Sequence, residues 1–140
     1  CLSKVICRGL CSMISFVLLS GVAIGVILFQ SALIAPTVLK TLDAESTRIF
    51  LRSIWPKFFI VLILLGGPAA VLKLRQDDLS KVEPIMAAFL IILPVLAYVI
   101  IPATNRAADR EDHPRFRVLH RLSVLSTLAL LADYVWLALA

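Results

Sequence analysis

Charged residues are scarce in this chain: Asp, Glu, Lys and Arg together make up only 16% of its 140 residues. A soluble domain of this size needs more polar surface than that to cover its core. The low charge content therefore excludes an ordinary soluble globule. What the chain has instead is a hydrophobic fraction of 61%, which indicates an integral membrane protein.

The motifs of soluble enzymes and of nucleic-acid-binding proteins are also missing. No catalytic triad, phosphate-binding loop or carboxylate pair at a defined spacing is present, so we predict a protein that is not an enzyme. The net charge of +5 comes from basic residues between apolar runs, where they set orientation and meet anionic headgroups. They form no dedicated basic domain, which argues against nucleic-acid binding. The sequence also shows no repeat typical of inverted-repeat transporters.

Histidine and cysteine, the usual ligands of haem and soft metals, number only two and three. His113 and His120 lie on one segment, whereas two axial haem ligands should lie on facing helices. Cys7 and Cys11 share a helix face but lack a third firm metal ligand. We therefore predict no cofactor and no metal site. The chain begins at Cys1, so its N-terminus is either processed or starts after the true first residue.

Four apolar runs are long enough to cross a hydrocarbon core about 30 Å thick, which takes roughly 20 helical residues. They cover about 10–39, 56–74, 84–104 and 118–140. Backbone groups find no partners in lipid, so all four runs should be helices. We predict an all-α fold, with 1–140 forming a single membrane domain, a bundle of four transmembrane helices. The first run exceeds a straight crossing and should tilt, or project beyond the bilayer after Pro36.

The connection between the first two spans carries helical signals of its own. Asp43 can cap a helix, and Pro56 ends or kinks it. Between them Glu45, Arg48 and Arg52 share one face, with apolar side chains on the other. This pattern predicts a short amphipathic interfacial helix on the membrane surface. An extension of the second transmembrane helix explains the pattern equally well.

Basic residues are divided unevenly between the two sides of the predicted bundle. The connections after spans one and three carry nine Lys and Arg residues, and the segments before spans one and three carry five. The positive-inside rule places the more basic connections in the cytoplasm and both termini outside it. We expect the protein in a bacterial inner (plasma) membrane.

Small residues mark two of the spans as sites of close helix approach. Gly21 and Gly25 form a GxxxG motif in the first span, and Gly66 and Gly67 give the second span a thin stretch. Such stretches let another helix come near. Packing inside the bundle and contact with another subunit both explain them.

A single carboxylate, Asp133, interrupts the last apolar run. A charged group inside a membrane is costly and by default suggests a proton or cation relay, or a counter-ion. Tyr134 and Trp136 beside it are typical of an interface belt, so contact with headgroup water is the other interpretation. Gln30 in the first span and Lys73 at the end of the second are candidate partners.

Several segments follow one another in an order that resembles a known family. They are 35–39 (APTVL), 48–59 (RIFLRSIWPKFF), 101–105 (IPATN) and 115–123 (RFRVLHRLS). Together they are similar to the four-span membrane protein family of transmembrane protein 205, which is largely of unknown function. The resemblance implies a four-helix fold with basic, aromatic and histidine positions gathered on one membrane face. We therefore expect a cytoplasmic-side polar cluster of Arg48, Asn105, His120 and Ser123.

These observations lead to one preferred function and two alternatives. The preferred function is a non-enzymatic membrane protein that acts through helix packing, as an accessory or assembly subunit of a larger membrane complex. Its partners would be the lipid bilayer and other membrane subunits, or further copies of itself. The first alternative is a small transporter or proton/ion-relay protein using His120, Asn105 and Asp133. The second is a haem- or metal-binding redox protein.

Overall fold

The computed structural model describes residues 2–76 and 79–140, with side chains from residue 9 onward. Helix α1 (Leu2–Leu28) continues through a π-helical segment (Phe29–Ile34) into α2 (Ala35–Thr41), and α3 (Ala44–Leu74), α4 (Glu83–Asp109) and α5 (His113–Leu139) follow. Four helices are long and apolar enough to cross a membrane, namely Gly9–Thr41, Ala44–Leu74, Glu83–Asp109 and His113–Leu139. The described residues contain no strand. The predicted all-α bundle of four membrane helices is confirmed.

Local capping signals determine where the helices begin. The Asp43 carboxylate accepts hydrogen bonds from the backbone N–H groups of Glu45 and Ser46, each at 3.0 Å. Hydrogen bonding from Ser46 also holds the pKa of the Asp43 carboxyl below its usual range. Asp112 caps α5 by accepting from the Arg115 N–H at 3.1 Å. These caps satisfy backbone donors that have no partner inside the helix.

The expected separate interfacial helix is not formed. Residues from Ala44 onward belong to α3, which runs to Leu74 through two internal prolines, Pro56 and Pro68. A proline removes one backbone donor and usually kinks a helix, but it does not have to end it. Here arginine side chains before Pro56 contact the end of α4, so tertiary contacts hold this segment along the bundle. The alternative, an extension of the second span, is the arrangement found.

The bundle has two distinct ends, which we name by their contents. The termini end contains the beginning of α1, the α3–α4 connection and the end of α5. The arginine end contains the α2–α3 and α4–α5 turns. Helix α4 packs extensively against α3 and α5, whereas α1 contacts α3 and α5 less extensively. The first span therefore has the least contact with the rest of the bundle.

The close approach of α3 and α4 depends on Gly66. A Cβ atom added to Gly66 would lie 2.2 Å from the Leu90 carbonyl oxygen, far inside any normal contact distance. The Tyr134 hydroxyl of α5 lies on the same side, at 3.4 Å from that position. Gly66 thus brings three helices together in the core, which accounts for one of the predicted small-residue positions.

Candidate functional site

At the arginine end, α3 and α4 are joined by contacts between arginines and a carboxylate. The Arg52 guanidinium donates to Asp109 and to the Asn105 carbonyl oxygen, the latter at 3.4 Å. Arg48 lies 3.4 Å from the same Asp109 oxygen and 2.8 Å from Glu45. The arginine side chains are 32% and 49% exposed, so water and salt screen each pair and its contribution to stability is small. This contact places Arg48 and Asn105 of the expected cluster at one site.

The other two residues of the expected cluster, His120 and Ser123, lie on α5 toward the same end. His120 is exposed, and its ring stacks on Phe116 with centroids 5.7 Å apart. The Ser123 hydroxyl donates to the Leu119 carbonyl oxygen of its own helix at 3.3 Å. Among the described residues, neither side chain hydrogen-bonds to the α3–α4 contact. The four residues therefore divide between two places at this end of the bundle.

Asp133 lies in the interior of the bundle. The residue is only 6% exposed, and neither carboxylate oxygen has a hydrogen-bond partner within the described part of the chain. The hydroxyls of Tyr134 and of Ser20, on α1, are buried and likewise without a partner there. This burial favours an intramembrane carboxylate over one that reaches headgroup water. Leaving such groups unsatisfied typically costs about 1–3 kcal/mol each.

Ser20 and Asp133 lie at similar depths on two helices that contact each other, α1 and α5. The Lys73 ammonium marks a common level, because it lies 5.6 Å from the Phe16 ring centroid and 3.4 Å from the Leu137 carbonyl oxygen. Ser20 is one helical turn inward from Phe16, and Asp133 is one turn inward from Leu137. A buried hydroxyl and a buried carboxylate therefore share one layer between α1 and α5. That layer offers polar atoms to a proton, a cation or a donor from another molecule.

An ion pair at the termini end was missed by the sequence reasoning. Lys73 and Glu83 lie 2.8 Å apart across the α3–α4 connection, with side chains only 4% and 8% exposed. Glu83 also accepts from the backbone N–H of Ser80 at 2.6 Å. Lys73 therefore pairs with Glu83 and does not pair with Asp133. The sequence does contain a signal for this pair, because Lys73 and Glu83 carry opposite charges and flank a short turn between two apolar runs.

The remaining predicted glycine positions face open space. Cβ atoms added to Gly21, Gly25 or Gly67 would meet no atom within 4 Å. Gly21 and Gly25 are exposed on α1, and Gly67 is partly exposed on α3. Packing against the described residues of this chain therefore does not explain the GxxxG motif of the first span.

The described residues contain no group of three or more His, Cys, Asp or Glu side chains that could hold a metal ion. Cys11 is an exposed free thiol. Cys1 and the side chain of Cys7 lie outside the part of the structure that is described. The functional candidates among the described side chains are thus buried polar groups and exposed helix faces.

Comparison with known proteins gives one match. The family described as a domain of unknown function (DUF4149) matches residues 18–113, from the middle of α1 to the beginning of α5. The match covers more than half of the chain and includes both exposed glycines of α1 and the α3–α4 contact at the arginine end. No curated protein and no solved structure matches the chain.

Proposed function

The chain belongs to the DUF4149 family, a domain of unknown function, and we propose that it is a non-enzymatic accessory or assembly subunit of a larger membrane complex. The observation that carries this proposal is the exposed Gly21–Gly25 face of α1, which no described residue of the chain covers. In the proposed role, a transmembrane helix of another subunit, or of a second copy, packs on this face.

The two glycines lie on the side of α1 turned away from the bundle. The core side of α1 is a stripe at helical spacings of three and four, and its members are Phe16, Ser20, Ala23, Ile27 and Gln30. At about 100° per residue, Gly21 and Gly25 lie roughly opposite the centre of that stripe. Glycine lowers helix propensity and fills no space in the core. Close approach by another helix explains why glycine occurs at both positions, whereas packing inside the bundle does not.

The test compares the mass of the solubilised protein with and without an intact glycine face. In a mild detergent we expect the native protein to migrate in a species larger than the 15.4 kDa chain. The Gly21→Leu/Gly25→Leu variant should migrate as the monomer, because the bulky side chains block close helix contact, while a Cβ atom at either position meets no described atom within 4 Å. Gly67→Leu is the matched control, since its Cβ also meets open space.

Two results would contradict the proposal. One is a wild-type protein that migrates only as a 15.4 kDa monomer with no partner. The other is a Gly67→Leu variant that loses the larger species to the same extent as the double variant. The second result would show that any large side chain on the membrane surface disrupts the assembly.

A second candidate function, a small transporter or proton/ion-relay protein, is favoured by the buried layer of Ser20 and Asp133. The support is the carboxylate without a partner among the described residues. His120 and Asn105 lie toward the arginine end and are not part of this layer, so Asp133 is the residue to test. Proton or cation flux in proteoliposomes should fall in Asp133→Asn and persist in Asp109→Asn. Equal flux in both variants would refute this role.

We also propose the orientation and the wider relationship of the chain. The excess of Lys and Arg in the arginine-end connections supports a cytoplasmic position for that end, with both termini outside, in a bacterial plasma membrane. The four motif segments support a relationship with the family similar to transmembrane protein 205. Cysteine accessibility at each end of the protein in sealed cells tests the orientation.

A further inference from the structure

A groove of about 530 Å³ lies between α1 and α3 on the membrane-facing side of the bundle. One end is lined by apolar side chains, including Val22 and Val61, and the other end by Gln30, Ile54 and Lys57. The groove runs along the two helices, because these lining residues follow one another down each of them. It therefore has an apolar end and a polar end.

Gln30 is a buried amide without a partner in the described chain. The residue is only 6% exposed, and its Nε2 atom has no hydrogen-bond acceptor. It lies in the π-helical segment Phe29–Ile34, and π-helical turns are frequent at functional sites. A buried amide donor that lines a groove is suited to a ligand that brings its own acceptor oxygen.

Lys57 supplies a positive charge at the same end of the groove. Its ammonium lies 3.4 Å from the Ser53 hydroxyl and forms no ion pair with any described carboxylate. The neighbouring arginines of α3, Arg48 and Arg52, are both paired with carboxylates. The polar end of the groove thus has an uncompensated cation, which favours an anionic group over a neutral one.

The length and polarity of the groove match one leaflet of a bilayer. From Val22 to Gln30 the helix rises about 12 Å, at about 1.5 Å per residue. One leaflet of a hydrocarbon core about 30 Å thick is about 15 Å deep. An acyl chain would therefore lie along the apolar end while the headgroup of the same molecule stays at the polar end, near the interfacial aromatic Trp55.

We propose that this groove binds an anionic glycerophospholipid. The acyl chain lies between α1 and α3, an ester carbonyl accepts from the Gln30 Nε2 group, and the phosphate lies near the Lys57 ammonium. This site is separate from the outward Gly21 face of α1, and Gly25 lies at the boundary between the two. The lipid therefore occupies a groove within this chain, whether or not another helix packs on the Gly21 face of α1.

The test uses tryptophan quenching by brominated lipids. The chain has two tryptophans, so Trp136→Phe leaves Trp55 alone, with its ring 5.6 Å from that of the groove residue Phe58. In mixed phosphatidylcholine and phosphatidylglycerol vesicles, brominated phosphatidylglycerol should show about fivefold stronger association, the factor expected for one basic side chain at an anionic surface. Brominated phosphatidylcholine in the same mixture provides the reference.

Matched variants test whether the groove is the source of the preference for phosphatidylglycerol over phosphatidylcholine. Lys57→Gln should bring the ratio of the two lipids near one, while Lys40→Gln, an exposed lysine outside the groove, should leave it unchanged. Native mass spectrometry should find one phosphatidylglycerol retained per wild-type chain and none on Val22→Phe, which fills the groove from an exposed position. A wild-type ratio near one, equal losses in both lysine variants, or lipid retained by Val22→Phe would each overturn the proposal.

Discussion

Replacing Gly66 with alanine should separate α3 from α4. The added Cβ would lie 2.2 Å from the Leu90 carbonyl oxygen, whereas ordinary van der Waals contact begins at 3.4 Å. The two helices must therefore move apart by more than an ångström. Neither atom can turn aside, because the added Cβ is bonded to the α3 backbone and the Leu90 carbonyl oxygen belongs to the α4 backbone. Overpacking of this kind costs about 1–3 kcal/mol. Alanine offsets about 0.5–1 kcal/mol of that cost through its higher helix propensity.

The neighbouring glycine provides the control that isolates the contact. Gly67→Ala makes the same chemical change in the same helix, but its Cβ meets no atom within 4 Å. Pro68 disfavours a helical residue with a Cβ atom before it, so Gly67→Ala gains less from helix propensity than Gly66→Ala does. Gly66→Ala should still be the less stable of the two, by up to about 3 kcal/mol. Unfolding of the detergent-solubilised protein by a denaturing detergent, followed by helicity, measures this difference. Equal stabilities would refute the close α3–α4 approach at Gly66.

The same unfolding assay tests two ion pairs and one buried carboxylate. Lys73→Met should lower the unfolding free energy by more than Arg52→Gln does, because it leaves the Glu83 side chain, only 8% exposed, without its partner. The Lys73→Met/Glu83→Leu double variant should recover part of that loss, and losses that simply add would contradict the pairing. Arg52→Gln should lower the unfolding free energy only slightly, since its pair with Asp109 is partly exposed; a loss as large as that of Lys73→Met would show that the pair is shielded from water. Asp133→Ala should raise the unfolding free energy by about 1–3 kcal/mol, because a buried carboxylate without a described partner is removed and no bulk is added to the core. A lower value would show that Asp133 has a partner in the folded protein.

The number of helices could be predicted from the sequence because membrane helices have a fixed minimum length. Each of the four apolar runs contains enough residues to cross the hydrocarbon core, and each lies within one helical stretch of the structure. The polar ends of the helices were harder to predict. The segment after Asp43 has the same amphipathic pattern whether it lies on a membrane surface or continues a span, and only its contacts with α4 distinguish the two.

Which residues belong to the candidate sites depends on which side of each helix faces the bundle. The spacing of Gly21 and Gly25 predicts a close helix contact but not its direction, and the outward direction follows from the position of the core stripe on α1. Gln30 was recognised only as a candidate partner of Asp133. Its place in a groove depends on how α1 lies against α3, which no local sequence pattern shows. Three-dimensional packing, not local pattern, decides these features.

Photo-crosslinking beside the glycine pair tests the proposed assembly role most directly. A photo-reactive amino acid replaces Leu18, which is 65% exposed on the same side of α1 as Gly21 and Gly25, or Leu64 of α3, which is 68% exposed. In native membranes we predict a covalent adduct with another protein chain from position 18 and only the uncrosslinked chain or lipid adducts from position 64. No protein adduct from position 18, or equal adducts from both positions, would contradict an assembly face on α1.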